Sequence, residues 1–339
     1  MAFLFADGAD LYGTASNVSR KWSTSASLTI VAGRLGGGAI RLDSAGSQVT
    51  KTIANTITIG VTFALNIQAA NTGGSVRMLL LTDTGTCQVG LGTNASQQII
   101  LFRNTTANIL ATSVESLSQG VWHQLELKVK IDNTVGTVEL RLNGNTTPII
   151  TATGLDTQQT ANAFVNDIRF TTDGNGTPDF DIDDIIFWDD TGAAPHNNFL
   201  GDARIETLQP TGAGNTTQWA VTGAASNFQA VDDTTPNDDT DYVSENVSGE
   251  KDTYATGNVT GTVDTIYAVQ TNLLMKKSDA GTADVQHVVR SNAVDYLSAA
   301  KTPGTSYAYS TELWLTDPDT DVAWTQSAVD AAEYGEQFV

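Results

Sequence analysis

One cysteine, Cys87, stands in 339 residues. No intrachain disulfide can form, which excludes a disulfide-stapled secreted scaffold. Basic residues are scarce: 17 Lys and Arg face 38 Asp and Glu, for a formal charge of −21. A chain so charged repels phosphate backbones and anionic lipid, so neither nucleic acid nor membrane insertion is expected. The three histidines, at 123, 196 and 287, are isolated and lack the spacing of a zinc site. No stretch approaches the roughly 18 apolar residues of a membrane span, and residues 1–7 lack the basic, long-apolar pattern of a signal peptide. No Gly-x-Ser-x-Gly, phosphate-binding loop or dinucleotide fingerprint occurs, so no enzymatic activity is expected.

What the chain does hold is Thr, Asn, Gly, Ala and Val, with 40% apolar and only 16% charged residues. That composition favours β-structure with many turns and argues against disorder. The length fits two domains better than one. Residues 1–200 carry 17 acids and 11 bases, whereas 201–339 carry 21 and 6, so charge density changes near residue 200. The expected division is a domain over 1–190, a linker over 191–200 and an acidic β-rich domain over 201–339.

The clearest strand signal is 121–130, where Leu125, Leu127 and Val129 alternate with Glu126, Lys128 and Lys130. A turn at 132–136 leads to a second alternating run, 137–142, and Asn143-Gly144 suits the two left-handed positions of a type I′ hairpin. Further short strands read at 57–65, 76–81, 98–102, 167–170 and 180–188. Strands this short and this closely spaced indicate a sandwich or jelly roll. Past residue 200, strands are expected near 205–208, 218–221, 262–274, 284–290 and 307–315, then a short helix over 325–334 ending at Gly335.

Trp122-His123 with Leu125 and Leu127, followed by 136–144 and the closing run 182–188, resembles the laminin-G-like, concanavalin-A-like jelly roll. The resemblance implies an all-β protein: an N-terminal concanavalin-A-like jelly-roll sandwich, then a smaller β-rich domain with a short C-terminal helix. It also implies that Trp122 is a packed core anchor and not a sugar-stacking platform, although strand parity would turn it outward. Residues 199–204, 208–210, 237–243 and 317–335 resemble the C-terminal part of phage and prophage structural proteins. That second resemblance implies a virion component, a surface decoration, fibre or tail-associated protein, with other virion proteins as partners and a cell-surface glycan as the attachment target. A homo-oligomer would follow from virion symmetry. The alternative is a secreted lectin or a jelly-roll glycoside hydrolase.

Asp179, Asp181 and Asp183 share one strand face, a pattern similar to the acidic strand of jelly-roll glycan hydrolases. All three are Asp, and short side chains leave carboxyls too far apart for a retaining pair. Asp184 falls by parity on the core side with Phe180, Ile182, Ile186 and Trp188. A buried carboxylate there should tie down a loop, unless a bulge at 183–184 resets the alternation. Asp173, Asn175, Asp179 and Asp181 present alternating oxygens of the kind that hold calcium, the one cofactor expected. The acidic run Asp232, Asp233, Asp238, Asp239 and Asp241 reads as a solvated loop.

Overall fold

The computed structural model describes residues 3–172 and 179–339. The chain divides into two compact units, Met1–Ile205 and Glu206–Val339.

The first unit opens with β1 (Phe3–Asp7), β2 (Thr24–Ala26), β3 (Leu28–Ala32), β4 (Gly38–Leu42) and β5 (Gln48–Thr56). Next come β6 (Thr58–Ile67), β7 (Val76–Asp83), β8 (Thr86–Thr93), β9 (Gln98–Arg103) and β10 (Ile109–Ser116). The unit closes with β11 (Trp122–Lys130), β12 (Gly136–Leu142), β13 (Ile150–Leu155), β14 (Val165–Thr171) and β15 (Phe180–Asp189). One antiparallel sheet runs β13-β12-β11-β6-β15-β4-β3, with β1 also paired to β15, and the other runs β10-β9-β8-β7-β14-β5-β2. β14 lies between β7 and β5, and β15 between β6 and β4, so late strands nest between early ones in each sheet. That nesting makes the sandwich a jelly roll.

Alternation explains the packing. Ile59, Val61, Phe63, Leu65 and Ile67 of β6 are all buried, as are Leu125, Leu127 and Val129 of β11. Phe63 meets Phe170 of the opposite sheet edge-on at 5.0 Å, which places these rows between the sheets. Each such side chain contributes about 1.5–3 kcal/mol on burial. The turn after β12 takes φ of 53° at Asn143 and 68° at Gly144, as a type I′ geometry requires.

The second unit contains β16 (Pro210–Thr217), β17 (Ala220–Thr222), β18 (Tyr242–Ser244), β19 (Lys251–Thr256) and β20 (Val269–Met275). They are followed by β21 (Val285–Ser291), β22 (Val294–Leu297), β23 (Ala308–Trp314), the short helix α1 (Gln326–Ala331) and β24 (Glu333–Phe338). A five-stranded antiparallel sheet runs β16-β19-β24-β21-β22, beside the ribbons β17-β18 and β20-β23. Val289, Trp324, Val329 and Ala332 form its apolar centre. The helix starts on the Thr325 cap, whose hydroxyl accepts from the Ala328 amide at 3.2 Å. It stops earlier than the sequence suggests. Gly335 is no helix cap; it sits inside β24, where a Cβ would collide with the Asp252 carbonyl oxygen. Close approach to β19 therefore selects glycine there.

Candidate functional site

The polar face of the eight-stranded sheet is organised by a bulge in β15. Its pairing with β6 slips between Asp183 and Ile186, and Asp184 takes a left-handed φ of 50°. Beyond the slip, Phe187 stacks on Phe170 toward the opposite sheet at 6.5 Å. Trp188 turns to the outer side and lies over Gly60, whose position leaves no room for a Cβ under the indole. Strict alternation is thus broken where the sequence allowed for it. Asp184 accepts hydrogen bonds from the Ile205 amide at 2.7 Å and from Arg34 Nη1 at 3.4 Å, so it does tie down neighbouring loops.

Two rows of side chains cross the outer face. Register aligns Trp122, Asn66, Asp181 and Arg41 on four adjacent strands, and Gln124, Ala64 and Asp183 beside them. Arg41 forks onto Asp181, with Nε to Oδ1 at 2.7 Å and Nη2 to Oδ2 at 2.9 Å, and Gln68 Nε2 adds a third donor at 2.8 Å. Asp183 accepts from the Arg34 amide at 2.8 Å and the Asp184 amide at 2.7 Å. The Arg34 guanidinium reaches across to Gln124 Oε1 at 3.0 Å and Asp202 Oδ1 at 2.6 Å. Asn66 Oδ1 and Gln124 Nε2 are buried with no hydrogen-bond partner among the described residues. Each such orphan costs about 1–3 kcal/mol, so this face carries polar capacity that the chain itself leaves unused.

Burial sets the electrostatics. It pushes the Asp183 carboxyl up to about 8, with the adjacent Asp184 charge acting in the same direction. Asp184 is raised for the same first reason, and Asp179 is raised by burial and then by Asp43. The hydrogen bond to Asp181 raises Arg41. Further along β11, burial raises Glu126, which accepts from the Leu200 and Gly201 amides at 2.6 and 2.9 Å. Residues 199–201 are thereby fastened to the sheet, with Phe199 edge-on to Trp188 at 5.8 Å.

Of the residues singled out in the sequence, Asp181 and Asp183 do share the outer face. Asp179 precedes β15, and Asp173 and Asn175 lie outside the described residues. Among the described residues no group of three or more His, Cys, Asp or Glu gathers as a metal set. Trp122 corrects the family-based expectation. β11 pairs with β6 without interruption from Trp122 to Lys130, so parity holds and the indole faces outward, partly exposed, while His123 is buried. Sequence reasoning missed Asn66, Gln124, Arg41 and Arg34. The parity of β6 and β11 could have located the first two. Nothing local marks Arg34, which reaches the face through a loop paired in space with residues about 150 positions away.

Fold and site together define a jelly-roll β-sandwich protein with a built polar face on one sheet. No protein-family model and no curated protein matches the chain. Among solved structures it is similar to the cellulose induced protein Cip1, at 14% identity and a TM-score of 0.42, covering 60% of this chain and 99% of that one. It is also similar to a sialidase (11% identity, TM-score 0.35, 47% of this chain and 16% of that one). Trypanosoma rangeli sialidase gives 11% identity and a TM-score of 0.37, over 55% of this chain and 30% of that one. The chain therefore spans less than a third of these sialidases, and the likeness is one of fold. The expectation of a non-enzyme is corrected at this point: sialidases, which are enzymes, stand among the structures this sandwich resembles.

Proposed function

We propose that the first unit binds carbohydrate on the outer face of its eight-stranded sheet. The observation that carries this reading is the row Trp122, Asn66, Asp181, Arg41. An indole offers a flat apolar surface, and the Asn66 amide and the Asp181–Arg41 ion pair beside it form a fixed polar rim. A pyranose ring matches that combination, with an apolar C–H face and a rim of hydroxyls. The resemblance of the second unit to phage structural proteins supports placing such a face on a virion, where it would serve attachment.

Binding of a polysaccharide and oligosaccharide panel, measured by calorimetry, tests the reading. Trp122→Ala should weaken binding by about ten-fold or more, a loss of about 1.4 kcal/mol, while thermal stability stays put. Unchanged binding in that variant removes the face from consideration.

A second reading is favoured by one specific observation. Asp181 and Asp183 sit two apart on one strand face in unlike surroundings, one forked by Arg41 and the other raised to about 8. Paired carboxyls in unlike surroundings are the arrangement that supplies an acid and a carboxylate to glycoside hydrolysis. Release of reducing ends from the same panel by the wild type, abolished in Asp183→Asn, would establish it; no release from any member rules it out.

A further inference from the structure

We infer that the ligand of this face is an uncharged glycan and that sugars bearing carboxylate or sulfate are turned away. The inference rests on the carbohydrate reading above and deepens it. Recognition of a sugar carboxylate calls for a guanidinium with its fork edge available, because that edge matches two oxygens at once. Here the Nε–Nη2 edge of Arg41 is already used on the two oxygens of Asp181, and the guanidinium that carries the remaining edge is surrounded by acids. Arg34 divides its guanidinium among Gln124, Asp184 and Asp202. Arg141, on the neighbouring strand β12, is paired with Glu139 at 2.8 Å and lies over the Phe199 ring at 3.9 Å. Lys128 sits six residues along β11 from Trp122, about 20 Å at the rise of an extended strand, with its ammonium over Trp188.

Exchange of Asp181 for a ligand carboxylate gives no way around this. Asp181 is 3% exposed, and losing its arginine would strand a buried charge. The acids at this end of the sheet outnumber the guanidinium they surround: Asp43, Asp179 and Asp181 all act on Arg41. At physiological salt, charges are screened over about 8 Å, so these near acids matter more than the −21 of the whole chain. An anionic sugar would add one more negative charge to that group. A hydroxyl, in contrast, adds no charge to that group and can accept from the partly exposed Arg41 guanidinium.

The test uses the whole chain and matched pairs of oligosaccharides, each neutral member set against its sialylated, uronic-acid or sulfated counterpart. Neutral members should bind about ten-fold or more tightly than their partners, and their affinity should change less than about two-fold between low and high salt. Asp181→Asn, which releases the Arg41 fork, should shift the preference toward the acidic member. The salt dependence of the wild type reads the same property should that variant fail to fold. Equal or tighter binding of the acidic members, weakening as salt rises, overturns the inference while leaving carbohydrate binding in place. Binding of no member of any pair overturns the carbohydrate reading itself, and this inference with it.

Discussion

The two units bury different things. In the first, the space between the sheets is filled mainly by aliphatic and aromatic side chains such as Phe63, Phe170 and Phe187, with His123 and the Asp7–Lys21 ion pair as buried exceptions. In the second, a row of ionisable groups runs through the middle of the sheet. Register aligns Asp252, Glu336 and His287 across β19, β24 and β21, and all three are buried. Asp252 accepts from the Gln218 and Trp219 amides at 2.6 and 2.9 Å, from Asn227 Nδ2 at 2.5 Å and from the Tyr254 hydroxyl at 3.1 Å. The same hydroxyl lies 2.6 Å from Glu336 Oε1. A hydroxyl has one proton to give. That one proton is placed between the Asp252 and Glu336 carboxylates, and burial pushes Glu336 up to about 8. His287 is bracketed by the Thr271 and Ser310 hydroxyls, each at 2.9 Å. The sandwich thus keeps its core mostly apolar, with Asp7 satisfied by Lys21, Tyr12 and Trp22, whereas the second unit satisfies a whole row of polar groups inside its sheet.

That contrast can be broken experimentally, and the sharpest blow falls on the sandwich. Phe170→Ala should cost about 3–5 kcal/mol and lower only the transition of the first unit in scanning calorimetry; an equal drop in both transitions would deny them separate cores. Asp252→Ala should cost the second unit about 3 kcal/mol, because it strands several buried donors at once. A cost under about 1 kcal/mol would mean that water replaces the carboxylate, contrary to the polar-core account.

The pH response should separate the units next. A carboxyl raised in the folded state favours the fold at low pH and withdraws that support as pH rises. The first unit should therefore lose stability from about pH 4 to about 8 through Asp183, and Asp183→Asn should flatten the slope. In the second unit, Glu336 acts in the same direction from about 4.5 to about 8, but burial lowers His287 to about 4 and opposes it. A histidine held neutral loses its contribution as pH falls from 6.5 toward 4, so the second unit should be nearly flat below about 6.5 and decline only above it. Melting curves at pH 5, 6.5 and 8 check this; parallel declines in both units would remove the distinction. The smallest effect belongs to the helix cap. Thr325→Ala should cost the second unit about 1 kcal/mol and the first unit nothing.

How far the sequence can be read follows the same division. Leu125, Leu127 and Val129 announce an inward row because the partner strands on both sides obey one alternation. The turn at Asn143-Gly144 is equally plain, since its chemistry is local. The β15 bulge is visible only as an option. Whether parity resets depends on the register with β6 and on Arg34, whose amide fills one oxygen of Asp183 from 149 residues away. Trp122 was legible by parity, and the family resemblance pointed the wrong way because it speaks of a packed tryptophan, not of this strand's pairing. In the second unit alternation is weaker. The run 262–274 yields a strand only from Val269, and the segment after Thr325 divides into six helical residues and β24. There the arrangement is decided by partners such as β19 and β20-β23, which no local pattern reveals.

The place of β15 has a bearing on how the chain reaches its fold. This strand bridges β6 and β4 and also receives β1, with Phe3 opposite Trp188. It is the last strand of the first unit to be synthesised, yet its position in the sheet is near the middle. Contacts so distant along the chain carry a loop-closure entropy that must be met before they return anything, and folds of this sort assemble slowly. Until residue 189 has left the ribosome, β6 and β4 have unpaired edges facing a gap one strand wide. Such open edges are templates for pairing with the wrong chain. The nascent protein is consequently most vulnerable to aggregation just before its first unit is complete, and the seam that closes that window is the same strand that carries Asp181 and Asp183.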